Sequence, residues 1–171
     1  AMNEGSLILN YTAHGSEDAW SYSRILKSSD IDNLENQSRA PAIVTATCEF
    51  GRYDNPEKRS GGELFVMHPQ GGAIAMFTTV RLVYASPNQR LNANFYRYVF
   101  DFDSLRGRMP TVGEVMMRTK NSTYVINDFI NINSRNFTLL GDPGLILNYP
   151  RKRARITAIN ERPVDPNRPD S

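Results

Sequence analysis

A histidine and the only cysteine of the chain each follow a short apolar run. His14 comes directly after residues 7–13, and Cys48 comes directly after residues 42–47. Short runs rich in β-branched residues are typical of buried parallel strands, and open α/β sheets place their functional sites at the carboxyl ends of such strands. The pattern therefore predicts a thiol and an imidazole at one edge of one sheet.

That pair of groups supports nucleophilic catalysis. An imidazole that accepts the thiol proton generates a thiolate, and the imidazolium then gives the proton to a leaving amine. Two backbone amides must also stabilise the oxyanion that forms on the attacked carbonyl. Gly15 has no Cβ, so a carbonyl can approach its amide closely, and the amide of Cys48 supplies the second donor. The residues predict attack by Cys48 with His14 as base and acid.

The spacing of the two residues agrees with adjacent parallel strands, because Cys48 follows His14 by 34 residues, the length of one crossover unit. Alternating strands and helices predict an α/β fold with a mostly parallel sheet covered on both faces. The elements predicted from periodicity and end signals are a strand at 6–13, a loop at 14–28, a helix at 30–36 with Asp30 as its N-cap, the cysteine strand, a helix at 61–69, a strand at 73–80, helices at 87–100 and 111–120, a segment at 127–140 that is either helical or extended, a turn at 141–144 and a final strand at 145–149.

The composition of the chain limits the kinds of protein and of partner that it can represent. The chain has 171 residues, 40% hydrophobic and 22% charged, enough for one domain with a sizeable core. A net charge of +2 favours neither nucleic acid nor an anionic membrane as a partner. A single cysteine forms no internal disulfide, and no apolar stretch approaches the roughly 18 residues of a membrane span. No cofactor motif and no Asp-rich calcium loop are present, so neither a cofactor nor a metal is expected.

Structural interpretations of the same residues remain open at this point. A cysteine at the end of an apolar strand is commonly a small buried hydrophobe, and a histidine is commonly partly buried or faces solvent. Spacing alone does not choose between catalysis and packing. His68, just before Pro69 at a predicted helix end, favours an interaction with the helix dipole.

Over about residues 7–149, the identities of the residues also resemble those of a known protein family. The segment 10–20, Asn-Tyr-Thr-Ala-His-Gly-Ser-Glu-Asp-Ala-Trp, resembles the His-Gly-Ser segment of the gingipains, which are cysteine peptidases with a caspase-like fold. Thr-Ala-Thr-Cys at 45–48, Ala-Ser-Pro at 85–87 and Leu-Gly-Asp-Pro at 140–143 are similar to further segments of that family. Within it, the stretch 47–54 is most similar to the C-terminal signal peptidase, or sortase, of the type IX secretion system.

The resemblance implies a fold and a set of roles. The fold would be the three-layer αβα architecture, of which this chain carries the C-terminal part. The implied roles are nucleophile for Cys48, general base and acid for His14, oxyanion hole for the Gly15 and Cys48 amides, and pocket wall for Trp20. By their position after the third strand, Thr78, Thr79, Arg81 and Val83 are candidates for the other wall. The alternatives are an ordinary core or rim aromatic for Trp20 and a solvated arginine for Arg81, which is favoured over a pair with a substrate carboxylate.

The acidic residue that orients the histidine would lie upstream of residue 1, so we expect this piece alone to be weakly active or inactive. Glu17, Asp18 and Glu49 are near in sequence, but loop carboxylates are usually solvated. An open sheet edge would also favour dimerisation or strand exchange.

The implied domain comprises residues 1–150, followed at 151–171 by a basic patch and a proline-rich linker toward a further domain. The implied function is removal of the C-terminal secretion signal from type IX cargo through a Cys-His thioester, by hydrolysis or by transfer to an amine on a surface glycolipid. The partners would be a polypeptide substrate and outer-membrane secretion components, at the cell surface of a Gram-negative bacterium. The alternative is a non-catalytic caspase-like scaffold in which Cys48 is merely packed.

Overall fold

A central sheet positions the two predicted catalytic residues. The structure, a computed structural model, describes residues 2–124, 131–150, 157–160 and 162–163. In chain order its elements are β1 (Ile8–Thr12), β2 (Ala19–Trp20), β3 (Leu26–Lys27), α1 (Ser28–Ile31), a short 3-10 turn (Gln37–Arg39), β4 (Ala42–Ala46), α2 (Gly61–Val66), β5 (Ala75–Thr79), α3 (Ala85–Val99), α4 (Val112–Thr123), α5 (Asn131–Asn136), β6 (Phe137–Gly141), β7 (Ala158–Ile159) and β8 (Arg162–Pro163).

The sheet has the strand order β1-β4-β5-β6. The first three strands are parallel, and β6 joins β5 in the antiparallel direction at the edge. The prediction of a mostly parallel sheet is therefore confirmed. Strand β1 pairs with β4 from Ile8 opposite Ala42 to Thr12 opposite Ala46, so every partner is 34 residues away. The same offset separates His14 from Cys48.

Helices cover both faces of the sheet because alternate strand residues project to opposite sides. On one side, which we call the α3–α4 face, Val44 and Phe77 of the sheet pack with Phe95 and Val115 of the helices. On the other side, the hairpin face, the β2–β3 hairpin, α1 and α2 enclose a second core. Its largest members are Trp20, Ile31, Ile43, Phe50, Phe65 and Met76. Burial of each such side chain contributes about 1.5–3 kcal/mol, so both layers are needed for a stable sheet.

Two helices begin with reciprocal caps. The capping box predicted at Thr111 and Glu114 is present at the start of α4, and an equivalent box that was not predicted, at Ser60 and Glu63, starts α2. Helices α3 and α4 and strands β1, β4 and β5 lie within a few residues of their predicted positions. Of the open segment 127–140, residues 131–136 are helical and 137–140 are extended, whereas 127–130 lie outside the described residues.

Three element predictions are corrected. Segment 14–28 contains the β2–β3 hairpin, since Trp20 and Leu26 pair across it and enter the core. The helix predicted at 30–36 is the shorter α1, in which Asp30 accepts the Lys27 amide from inside the first turn. Residues 145–149 form no strand, because the Leu145 carbonyl is engaged by the first amide of α4 at 2.8 Å. The basic patch and most of the linker lie outside the described residues.

One glycine in the turn before β5 provides a test of the fold. Gly72 has a φ of +83°, and a Cβ there would lie 2.0 Å from the Phe65 carbonyl oxygen. That oxygen cannot move away without breaking its hydrogen bond from Ala73 N at 3.0 Å. We expect Gly72→Ala to lower the free energy of unfolding by about 3 kcal/mol in urea titrations.

Gly107→Ala is the matched control for that substitution. Gly107 also has a positive φ, +65°, but nothing lies within 4 Å of the added Cβ. Backbone strain alone should cost about 1 kcal/mol there. Equal losses in the two variants would contradict the packing described for Gly72.

Candidate active site

His14 and Cys48 leave the sheet from the same edge. Strand β1 ends at Thr12 and its parallel partner β4 ends at Ala46, and each functional residue follows two positions later. Neighbouring strands lie about 4.8 Å apart, so the two chain segments emerge side by side. The structure therefore places the two residues at the same edge of the sheet.

Cys48 lies at a tightly held turn. Its thiol is partly exposed and donates to the Val83 carbonyl at 3.8 Å. The next residue, Glu49, has a φ of 57°, which turns the chain sharply after the cysteine. Below the thiol, the buried Thr79 hydroxyl donates to the Thr47 carbonyl at 2.7 Å, and the Gly51 amide donates to the Thr79 carbonyl at 2.8 Å. These bonds fix the backbone on which the sulfur is carried.

His14 is exposed and lies against the β2–β3 hairpin. Its ring packs on Tyr22 with centroids 5.2 Å apart and a tilt of 41°. Its backbone carbonyl accepts the Tyr11 hydroxyl at 2.9 Å and the Ser21 amide at 2.8 Å. A depression of about 250 Å³ opens beside the imidazole and is lined by His14, Gly15, Ser16, Ala19, Ser21, Tyr22 and Arg24. The imidazole is therefore accessible to a bound ligand.

Gly15 brings the histidine segment into contact with the cysteine segment. A Cβ on Gly15 would lie 3.0 Å from Cβ of Thr47 and 3.2 Å from the Ala19 carbonyl oxygen. Among the residues that the structure describes, the amides of Gly15 and Cys48 have no hydrogen-bond acceptor. The role of these two amides as oxyanion donors stays a prediction.

An ion-pair network connects the loops around these two residues. Arg52 pairs with Glu17 at 2.9 Å and lies 3.7 Å from both Glu49 and Asp54, and Asp54 in turn binds Arg81 through two hydrogen bonds. The network thus runs from the histidine segment through the cysteine loop to the chain after β5.

Glu17 departs from the expectation that the nearby carboxylates are solvated. Its side chain is only 13% exposed, and the Asn55 amide donates to it at 2.8 Å. That hydrogen bond, aided by Lys58 and Arg52, lowers the pKa of Glu17. Its partners come 35 and 38 residues later in the chain, so no local pattern in the sequence could have indicated them.

Trp20, assigned to a pocket wall by resemblance, is buried in the core of the hairpin face. It is 4% exposed and stacks on Tyr11 with ring centroids 4.5 Å apart, and its other side faces Phe50 and Phe65. In this structure it offers no open surface to a substrate. Trp20 belongs to β2 and packs the β2–β3 hairpin onto this core, while Ala19, Ser21, Tyr22 and Arg24 of the same segment line the depression beside His14.

The residues assigned to the other wall also differ from expectation. Thr78 and Thr79 are completely buried, and their hydroxyls engage Thr45 and the Thr47 carbonyl, so they hold the cysteine strand from within the sheet. Arg81 is half-exposed but fully paired with Asp54. In this group, Val83 accepts the hydrogen bond of the thiol through its backbone carbonyl.

No group of three or more His, Cys, Asp or Glu side chains is close enough to hold a metal ion among the residues described. None of the helices in the described ranges is long and apolar enough to cross a membrane.

Sequence comparison identifies relatives of the chain. The profile of peptidase family C25 matches residues 1–148. A Lys-gingipain of Porphyromonas gingivalis is 26% identical over 133 residues, or 78% of this chain, and another from the same organism is 25% identical over the same length. The chain spans only 7% of the length of these curated relatives.

Structural comparison identifies chains with the same fold. Gingipain R, an Arg-specific cysteine proteinase, superimposes with a TM-score of 0.75 at 22% identity, covering 85% of this chain and 34% of that one. The complex of the pro- and mature domains of RgpB from Porphyromonas gingivalis gives a TM-score of 0.75 at 20% identity, covering 85% and 35%. Identities this low show the fold alone, and they confirm the caspase-like α/β architecture.

Proposed function

This chain belongs to peptidase family C25, and we propose from that premise that it supplies the nucleophile and the general base of a gingipain-like cysteine peptidase. The observation that carries the proposal is the pairing of β1 with β4 at a constant offset of 34 residues. That register brings the segments of His14 and Cys48 out of the sheet together. The close approach of Gly15 to Thr47 supports the same conclusion.

The proposed reaction has two steps. The Cys48 thiol transfers its proton to His14, and the sulfur attacks the scissile carbonyl carbon while the amides of Gly15 and Cys48 hold the oxyanion. When the tetrahedral intermediate collapses, the C–N bond breaks and the His14 imidazolium protonates the leaving amine, which leaves a thioester on Cys48. Water or an amine then attacks the thioester carbonyl and gives a proton to His14, and the C–S bond breaks as the imidazolium returns a proton to the sulfur. Each oxyanion donor contributes about 3–4 kcal/mol to the transition state.

The substrate of the whole protein is proposed more narrowly. The similarity of stretch 47–54 to the type IX signal peptidases supports a sortase that removes the C-terminal signal from secreted cargo. Its partners would be cargo polypeptides and outer-membrane secretion components, at the surface of a Gram-negative bacterium. Residues 1–150 would form the C-terminal part of the peptidase domain, and 151–171 would lead toward a following domain.

The test of this role uses the full-length protein and a cargo protein that ends in its own C-terminal signal. Mass spectrometry of the products should find one new C-terminus, at the start of the signal, and an added mass at that end when a primary amine is present. Cargo without the signal and the Cys48→Ser enzyme are the controls. Cleavage at scattered sites, or equal cleavage of cargo without a signal, would contradict the sortase role.

A scaffold without activity is the second candidate. It is favoured by the contact of the Cys48 sulfur with the Val83 carbonyl, which resembles the packing of a structural thiol. However, Cys48 and the next residue, Glu49, are both partly exposed, whereas Thr47 before them is 1% exposed and Phe50 after them is 0% exposed. A cysteine that is partly exposed at this edge of the sheet favours the enzyme.

A further inference from the structure

The segment after β5 reaches the proposed nucleophile. We call residues 80–84 the Val83 loop, since the carbonyl of Val83 accepts the Cys48 thiol at 3.8 Å. The Val83 side chain packs on the core of the α3–α4 face, while Leu82 and Tyr84 on either side are 66% and 62% exposed. The loop therefore covers one side of the sulfur and presents apolar surface next to it.

A buried asparagine on α5 fixes the end of this loop. Asn133 is 0% exposed, and its Oδ1 accepts the Tyr84 amide at 3.0 Å. Its Nδ2 donates to the Tyr84 carbonyl at 2.8 Å and to Oδ1 of Asn88 at 2.7 Å. The side-chain amide thus engages both backbone groups of one loop residue, in the way a neighbouring strand would.

The next turn of α5 holds the rest of the loop. Nδ2 of Asn136 donates to the Leu82 carbonyl at 2.9 Å, and the Asn136 carbonyl accepts the Val80 amide at 2.9 Å. Residues on both sides of Val83 are therefore tied to one short helix. The position of the Val83 carbonyl over the thiol follows from these bonds.

The chemistry of the buried side chain makes this arrangement specific. A buried amide is tolerated only when its donors and acceptor are satisfied, and Asn133 uses both N–H donors and its oxygen. Aspartate at this position has no donor for the Tyr84 carbonyl, and leucine has neither donor nor acceptor. Only an amide of this length meets the pattern.

We propose that Asn133 is a positioning residue for the reaction, which holds the Val83 loop against Cys48 and thereby sets the approach of a substrate to the sulfur. The expected effect of Asn133 on catalysis rests on the proposed peptidase function. Its expected effect on the reactivity of the Cys48 thiol does not, because the loop shields the sulfur whether or not a peptide is cleaved. The two effects can therefore be measured separately.

The first experiment measures alkylation of Cys48 by iodoacetamide at pH 7 in this chain. Cys48 is the only thiol, so the reaction has one product. Asn133→Asp and Asn133→Leu should release the loop and raise the alkylation rate about fivefold or more. Asn94→Asp is the matched control, since it breaks an amide hydrogen bond of 3.0 Å to Thr123 between α3 and α4, away from the loop.

The second experiment measures kinetics of the full-length protein with a peptide substrate. A loop displaced by about 1 Å should lower kcat/KM about 100-fold in Asn133→Asp, while Asn94→Asp stays within twofold of the wild type. If the wild-type protein cleaves no peptide, the proposed function fails but the alkylation rates still decide the role of Asn133.

Two outcomes would overturn the positioning role. One is an unchanged alkylation rate in both Asn133 variants, and the other is an equal increase in Asn94→Asp, which would indicate general loosening. If the Asn133 variants do not fold, Asn136→Ala decides the matter. That change removes only the bond to the Leu82 carbonyl, and it should raise the alkylation rate about twofold; no increase would overturn the proposal.

Discussion

Replacing Cys48 by alanine in the full-length protein is expected to lower kcat/KM for peptide hydrolysis by about 1,000-fold or more. The reason is that no other thiol in this chain can form the thioester. His14→Ala should have a comparable effect, because the thiol loses its proton acceptor and the leaving amine loses its proton donor. The double variant should be no worse than either single variant, since the two residues act as one unit.

The control for this comparison is the other histidine. His68 bonds the Asp32 carbonyl at 3.4 Å at the end of α2, away from the Cys48 turn, and His68→Ala should keep kcat/KM within twofold of the wild type. Thermal unfolding of each variant would verify that the fold is retained. Residual activity of Cys48→Ala at the wild-type level would exclude the proposed nucleophile.

Substituting Gly15 by alanine is expected to reduce kcat about 100-fold with little change in KM. The added methyl group would lie 3.0 Å from Cβ of Thr47, which is 1% exposed at the end of a central strand and cannot move aside. The histidine segment must therefore shift away from the cysteine segment. The Gly15 amide then no longer points at the oxyanion, an interaction that exists only in the transition state.

Ser16→Ala is the neighbouring control for Gly15→Ala. It removes only a hydrogen bond of 2.8 Å from the Ser16 hydroxyl to the Asp18 carboxylate and adds no volume. Steady-state kinetics of the two variants should therefore separate displacement of the segment from a nonspecific effect of mutating it. A wild-type kcat in Gly15→Ala would remove the Gly15 amide from the mechanism.

The parts of the fold that the sequence predicted are those governed by local patterns. Strands β1, β4 and β5 are runs of apolar, often β-branched residues, which form buried strands in almost any context. The Thr111 and Glu114 cap is likewise a pattern of four consecutive residues. Adjacency of β1 and β4 followed from the length of one crossover, and their register then gave His14 and Cys48 a common edge.

The parts that could not be predicted depend on contacts between distant residues. Trp20 was assigned to a pocket wall, but whether an aromatic ring faces a pocket or a core depends on the aromatic cluster that meets it. The bond of Arg52 to Glu17 and those of Asn133 to Tyr84 and Asn88 join residues 35 to 49 positions apart. Polar residues of these types are usually exposed, so nothing in the sequence marks them as buried.

The central claim is that His14 and Cys48 form one catalytic unit, and the alkylation rate of Cys48 tests it most directly. An unpaired thiol is ionised to only a few per cent at pH 7, so a working imidazole partner should make the wild-type chain react with iodoacetamide at least about ten times faster than His14→Ala. His68→Ala should react at the wild-type rate. Equal rates for the wild type and His14→Ala at pH 7 would contradict the account.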